Sequence, residues 1–279
     1  MKNNLFILIC LLLLASCKKD NSEIISLKED SIQLSSHKLA TYSVETNSKY
    51  LVVFEAGMGN DHSVWLLYNS MLETIYKKID VILYDRAGYG KSTIDNNLRN
   101  INRLRIELEA VVNKYSNGRK VILIGHSIGG LIIRDYAIKN PGKTAALLFI
   151  DPTHENYMHL TQETIDAAYD AARTTYGANS GLTKEIRELI EDLTYASALP
   201  NLPNVPVVVL TSMKLDQVNT SSDQNYHKTR QDWYNAHELL KNGVADFTHI
   251  QTLNSGHFIM VEEPNLVIDN FNLLLSKLP

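Results

Sequence analysis

Cysteine is nearly absent: the 279-residue chain has two, Cys10 and Cys17, both close to its start. Anything folded beyond them has no disulfide to rely on and must be held by its core. Basic runs are missing too. No block of Lys and Arg is long enough to form a stripe for a polyanion, and the net charge of −4 adds no general attraction, so nucleic acid is excluded as a partner. There is no metal-ligand cluster and no dinucleotide motif in its required context, so no cofactor or metal is expected. Repeats and low-complexity segments are also lacking. Of long apolar runs there is one, "LFILICLLLLAS" from Leu5 to Ser16, too short to cross a bilayer comfortably.

That run follows a positive start at Lys2 and ends in small residues, which reads as a signal peptide. The tetrad Leu14-Ala15-Ser16-Cys17 resembles the lipobox of bacterial lipoproteins, in which the cysteine is lipidated and becomes the mature N-terminus. The resemblance implies export and a lipid anchor in the bacterial cell envelope. Residues 1–17 are therefore expected to be leader and residues 18–38 a polar tether containing "KKDNSEIISLKEDS". Residues 39–279 are long enough for one large domain with a sizeable core.

In that domain apolar runs alternate with amphipathic stretches. "LVVFEAG", "IDVILYDRAG", "KVILIGHS", "TAALLFIDP" and "VPVVVLTS" read as strands, and Ser63 to Lys78, Asn97 to Tyr115 and Ile128 to Asn140 read as helices. Alternation of this kind predicts an α/β fold: a mostly parallel, doubly wound sheet with helices on both faces and a site at the carboxyl ends of its strands. Between "FIDPTHE" and "NVPVVVL" the alternation stops. Two strong helix formers, "TQETIDAAYDAARTTYG" and "TKEIRELIEDLTYASAL", predict a helical cap over Glu155 to Asn201.

The stretch "VILIGHSIGG" ends a strand on Ser127 and opens a helix at once. Gly125-His126-Ser127-Ile128-Gly129 fits G-x-S-x-G, the nucleophile elbow, in which small flanking residues let strand and helix approach while the hydroxyl projects above the sheet. A hydroxyl at that place either attacks a substrate or caps the helix. As a nucleophile it needs a base from elsewhere in the chain. His257 is the candidate, because "FTHIQTLNSGHFIMVEEP" sets it in a loop between the last strand-like run and a helix beginning near Pro264. The adjacent His126 is expected to point away.

Five motifs occur in order: "FEAGMG…W", "YDRAGYGKS", "GHSIGG", "FIDPTHE" and "SGHF…EEP". Together they make the chain resemble the serine-nucleophile members of the α/β-hydrolase superfamily from about Tyr50 to the C-terminus, the cap excepted. The resemblance implies a serine hydrolase acting on an ester or related acyl bond of a small substrate, with an oxyanion hole made by the backbone N–H groups of Met58 and Ile128 and a loop-bracing role for Arg86; amide, thioester, lactone or carbon–carbon bond hydrolysis, or a catalytically silent surface binding protein, are the alternatives. Relatives of the fold that open epoxides or remove halogens attack with a carboxylate, which Ser127 disfavours. Two acids are open: Asp151, ending "ALLFI", and Asp216, after "VPVVVLTSMKL", with Asp151 preferred and Glu155 in reserve.

Overall fold

The computed structural model describes residues 27–157, 160–215 and 224–279. Its elements are β1 (Lys28–Gln33), β2 (Lys38–Val44), β3 (Leu51–Glu55), α1 (Asn69–Tyr76), β4 (Asp80–Tyr84), α2 (Ile101–Tyr115), β5 (Val121–His126), α3 (Ile128–Lys139), β6 (Thr144–Ile150), α4 (Gln162–Tyr176), α5 (Gly181–Ser197), β7 (Val207–Ser212), α6 (Gln224–Glu238), β8 (Phe247–Thr252), α7 (Ile259–Glu262) and α8 (Pro264–Ser276). Every residue of β3 to β7 is buried, as expected for strands covered on both faces. Alternate side chains serve different layers. Val121 and Leu123 pack with α2 and α3, whereas Ile122 and Ile124 pack with α1 and α8.

The sheet runs β1-β2-β4-β3-β5-β6-β7-β8, antiparallel at β1–β2 and β2–β4 and parallel elsewhere. β5 therefore lies between β3 and β6. The loops after these three strands meet at one end, where parallel sheets place ligands. Local signals set the helix starts: the Asn100 side chain accepts from Arg103 N–H at 3.1 Å, Ser180 accepts from Thr183 N–H at 3.2 Å, and Pro264 sits in the first turn of α8.

Three expectations are corrected. The tether foreseen over residues 18–38 ends earlier, because Lys28–Gln33 is an edge strand paired with β2 from Lys28↔Ser43 to Gln33↔Lys38. Its side chains are largely exposed, so backbone pairing holds it and an apolar signature is unnecessary. Ser63 to Lys78 divides into a short 3-10 turn, His62–Leu66, and α1. The helix foreseen from Asn97 starts at Ile101, once the Asn100 cap is in place. Residues 1–26, including Cys17, lie outside the described residues.

The expected cap region holds α4 and α5. On α5, Leu189, Leu193 and Ala196 join the core on the α2 and α3 side. Two polar ties fasten α5 to the body: Ile101 N–H donates to Asp192 Oδ1 at 2.8 Å, and Gly181 N–H donates to the Gly88 carbonyl at 3.1 Å.

Candidate active site

Ser127 stands between β5 and α3 with φ 55° and ψ −124°, a sparsely populated conformation that costs about 1–3 kcal/mol in a residue with a side chain. Close backbone packing enforces it. A Cβ on Gly125 would lie 2.6 Å from the Gly129 carbonyl oxygen, and one on Gly129 would lie 2.3 Å from that of Glu55. The glycines therefore let β5, α3 and β3 meet without intervening carbon. The Ser127 side chain makes no capping hydrogen bond, so the helix does not use its hydroxyl.

The Ser127 carbonyl accepts from the N–H groups of Gly130 and Thr153, each at 2.9 Å. In a trans peptide the N–H opposes the C=O, so Ile128 N–H is turned the other way. The same logic orients the loop after β3. Arg86 donates to the Ala56 carbonyl at 2.7 Å and to the Gly57 carbonyl at 3.0 Å, which turns Met58 N–H away from the guanidinium. Neither Met58 N–H nor Ile128 N–H donates to a protein acceptor among the described residues. Gly57 lies against the elbow, where a Cβ on it would come within 3.2 Å of Ser127 Cβ.

Arg86 is buried and also pairs with Glu55 at 2.9 Å and with Glu185 of α5 at 3.0 Å. One guanidinium thus joins β3, the Met58 loop and the cap. Arg86→Met is expected to leave buried Glu55 without its cation and Glu185 with only Arg99, at 3.6 Å, and to lower stability by roughly 3–5 kcal/mol. Chemical denaturation of the purified variant checks this; a loss below about 1 kcal/mol would mean that the three segments hold together without it.

His257 Nδ1 lies 2.7 Å from Asp151 Oδ2. The carboxylate only accepts, so Nδ1 carries the proton and neutral His257 keeps its lone pair on Nε2. That nitrogen is buried and has no protein partner among the described residues. The His257 loop is fixed on several sides: its own carbonyl accepts from His126 Nε2 at 2.9 Å, the Ser255 carbonyl accepts from Ser212 Oγ at 2.7 Å, and the Ser255 hydroxyl donates to Glu263 at 2.7 Å. His126 therefore does not simply point away. Its ring lies 4.6 Å from the His257 ring and links the elbow to the His257 loop. Burial, reinforced by His257, pushes His126 down to about 3, so it remains a neutral donor.

Asp151 is 1 % exposed and has φ 44°. Burial pushes its carboxyl up, but the hydrogen bonds from His257 and the Trp233 indole, with the positive charge His257 carries when protonated, outweigh it and hold the group below the usual range. Of the candidate acids, Asp151 is the one on His257. Glu155 instead pairs with Arg134 at 2.7 Å, and Asp216 lies outside the described residues. Sequence reasoning missed Ser212 and Trp233, whose N–H groups reach Asp151 Oδ1 at 2.9 and 2.7 Å. Neither belongs to a recognisable motif.

Two groups of side chains have metal-ligand types in mutual reach, His37 with Asp95 and Glu107, and Asp61 with His62 and Asp85. Their carboxylates are already engaged. Arg103 lies 2.8 Å from Asp95, Arg99 pairs with Glu107, and Asp85 accepts from Tyr42, His62 and Lys91.

Residues 50–267 match the family model described as alpha/beta hydrolase fold. The chain belongs to that family, whose members are hydrolases. It is similar to protein YqjL of Bacillus subtilis (strain 168), 25% identical over 223 residues that make up 79% of this chain and 81% of YqjL. A thermophilic esterase from Thermogutta terrifontis shares the fold at a TM-score of 0.69 and 16% identity, covering 90% of this chain and 98% of that one. The epoxide hydrolase CorEH does so at 0.68 and 13%, covering 90% and 99%.

Proposed function

We propose that the protein is a serine hydrolase that cleaves a carboxylic ester or related acyl bond through an acyl-enzyme. The observation that carries this reading is the hydrogen bond of His257 Nδ1 to Asp151, which leaves Nε2 as a free base in a loop bound to the elbow of Ser127. His257 takes the Ser127 proton as the hydroxyl attacks the acyl carbon, and the N–H groups of Met58 and Ile128 receive the oxyanion. The imidazolium then protonates the leaving group. In the second half-reaction, His257 activates water against the acyl-enzyme and Ser127 is released. The position that would carry a carboxylate in an epoxide-opening relative holds serine, which supports acyl transfer over that chemistry. A panel of acyl esters of graded chain length tests the reading: kcat/KM is expected to be measurable with a preferred length, and no turnover of any ester, thioester or amide would contradict it.

The same reading places the enzyme in the bacterial envelope, held to a membrane by lipid on Cys17, on the strength of the "LASC" ending of the apolar run. Membrane fractionation checks this. The native chain is expected with the membranes and Cys17→Ser in the soluble fraction, whereas a native chain recovered soluble with an unmodified N-terminus would contradict the anchor.

A further inference from the structure

We propose that Trp233 of α6 is a positioning residue for Asp151, its indole N–H fixing the rotation of the carboxylate so that one oxygen stays on His257. This role rests on the hydrolase reading above. Asp151 follows β6 directly, in a left-handed backbone conformation that aspartate adopts more readily than most residues other than glycine. Its two oxygens are divided. Oδ2 faces His257 Nδ1 at 2.7 Å, and Oδ1 collects the Ser212 backbone N–H at 2.9 Å and the Trp233 Nε1–H at 2.7 Å. Both donors on Oδ1 keep their proton at every working pH, so they specify which oxygen is left for the imidazole.

Trp233 is itself held as a rigid support. It is 6 % exposed, with Tyr157 edge-on at 4.6 Å and the His237 ring at 4.3 Å. His237, one helical turn further along α6, grips the next residue. Its Nε2 lies 2.6 Å from the Pro152 carbonyl, which only accepts, so Nε2 carries a proton. Burial pushes His237 down to about 3, so the ring is neutral and its Nδ1 accepts from the Thr211 hydroxyl at 2.6 Å. One face of α6 therefore holds the acid at two points, the carboxylate through Trp233 and the following carbonyl through His237. No hydrogen bond or ring contact among the described residues joins either side chain to Ser127 or His257, and both act through the Asp151 segment.

The test replaces the N–H and keeps the shape. Trp233 is exchanged for 3-benzothienylalanine, in which sulfur stands in place of the indole N–H, and in parallel Trp233→Phe is made. With one donor lost, Oδ1 is no longer pinned and the carboxylate turns part of the time away from His257. The imidazolium is then supported less. In the benzothienyl protein kcat is expected to fall roughly tenfold to a hundredfold, with KM changed by less than about twofold. The His257 Nδ1 proton resonance, followed by NMR in the resting protein, is expected to move upfield as its hydrogen bond to Asp151 is lost part of the time. The NMR arm needs no turnover, so it decides the role of Trp233 even where acyl esters prove not to be substrates. A benzothienyl protein whose His257 Nδ1 proton resonance stays in place or moves downfield would overturn the proposal, and loss of activity in Trp233→Phe alone would then mark Trp233 as a packing residue.

Discussion

Ser127→Ala is expected to remove acyl-ester turnover by at least roughly 10⁴-fold in kcat while leaving the fold intact. The two halves of this expectation come from different observations. Activity falls because no other hydroxyl on the elbow replaces the attacking atom. Stability is kept because the Ser127 side chain makes no capping hydrogen bond, so its loss orphans no helix N–H, and because alanine meets the same backbone strain at φ 55° as serine does. Steady-state kinetics and a thermal melt of the same sample measure both. A variant that keeps a tenth of the native kcat would remove Ser127 from the chemistry, and a variant that fails to fold would show that the hydroxyl is structural.

Asp151→Asn is expected to cost on the order of 10⁴-fold in kcat with little change in substrate binding. The surrounding donors decide the outcome. Oδ1 accepts two N–H groups, from Ser212 and Trp233, and these will keep the one oxygen that asparagine has. The amide NH2 must then face His257 Nδ1. Two donors cannot share that contact, so the imidazole gives up its Nδ1 proton, carries it on Nε2 instead, and loses the lone pair that would take the Ser127 proton. The negative charge that supports the imidazolium goes with it. A loss below about tenfold would mean that His257 works without the Asp151 carboxylate.

The elbow was legible in the sequence because its requirement is local. Gly125, Gly129 and Gly130 leave no room for a Cβ against Gly129, Glu55 and Pro152 respectively, and only glycine answers to that. Arg86 was readable as a brace from its place in "YDRAGYGKS", but not its partner Glu185, which is 99 residues away on the cap. The choice between Asp151 and Asp216 was open for a related reason. Both follow strands, and what sets Asp151 on His257 is the lateral packing of β5, β6 and β7, together with a positive φ that aspartate tolerates but does not by itself announce. Trp233 was hidden for the same cause, since its indole reaches an aspartate 82 residues earlier from a helix whose sequence is mostly polar. The strand β1 escaped notice because an edge strand with exposed side chains needs only its backbone ladder.

Reaction of the intact protein with a fluorophosphonate, followed by mass spectrometry of its peptides, tests the proposed nucleophile most directly. The reagent forms a stable adduct only where a serine hydroxyl is activated by a neighbouring base and the phosphoryl oxygen finds oxyanion donors. One adduct per chain is expected, on the peptide containing Ser127, with none in Ser127→Ala and a strongly slowed reaction in Asp151→Asn. An unmodified native chain, or an adduct on any residue other than Ser127, would contradict the acyl-enzyme mechanism.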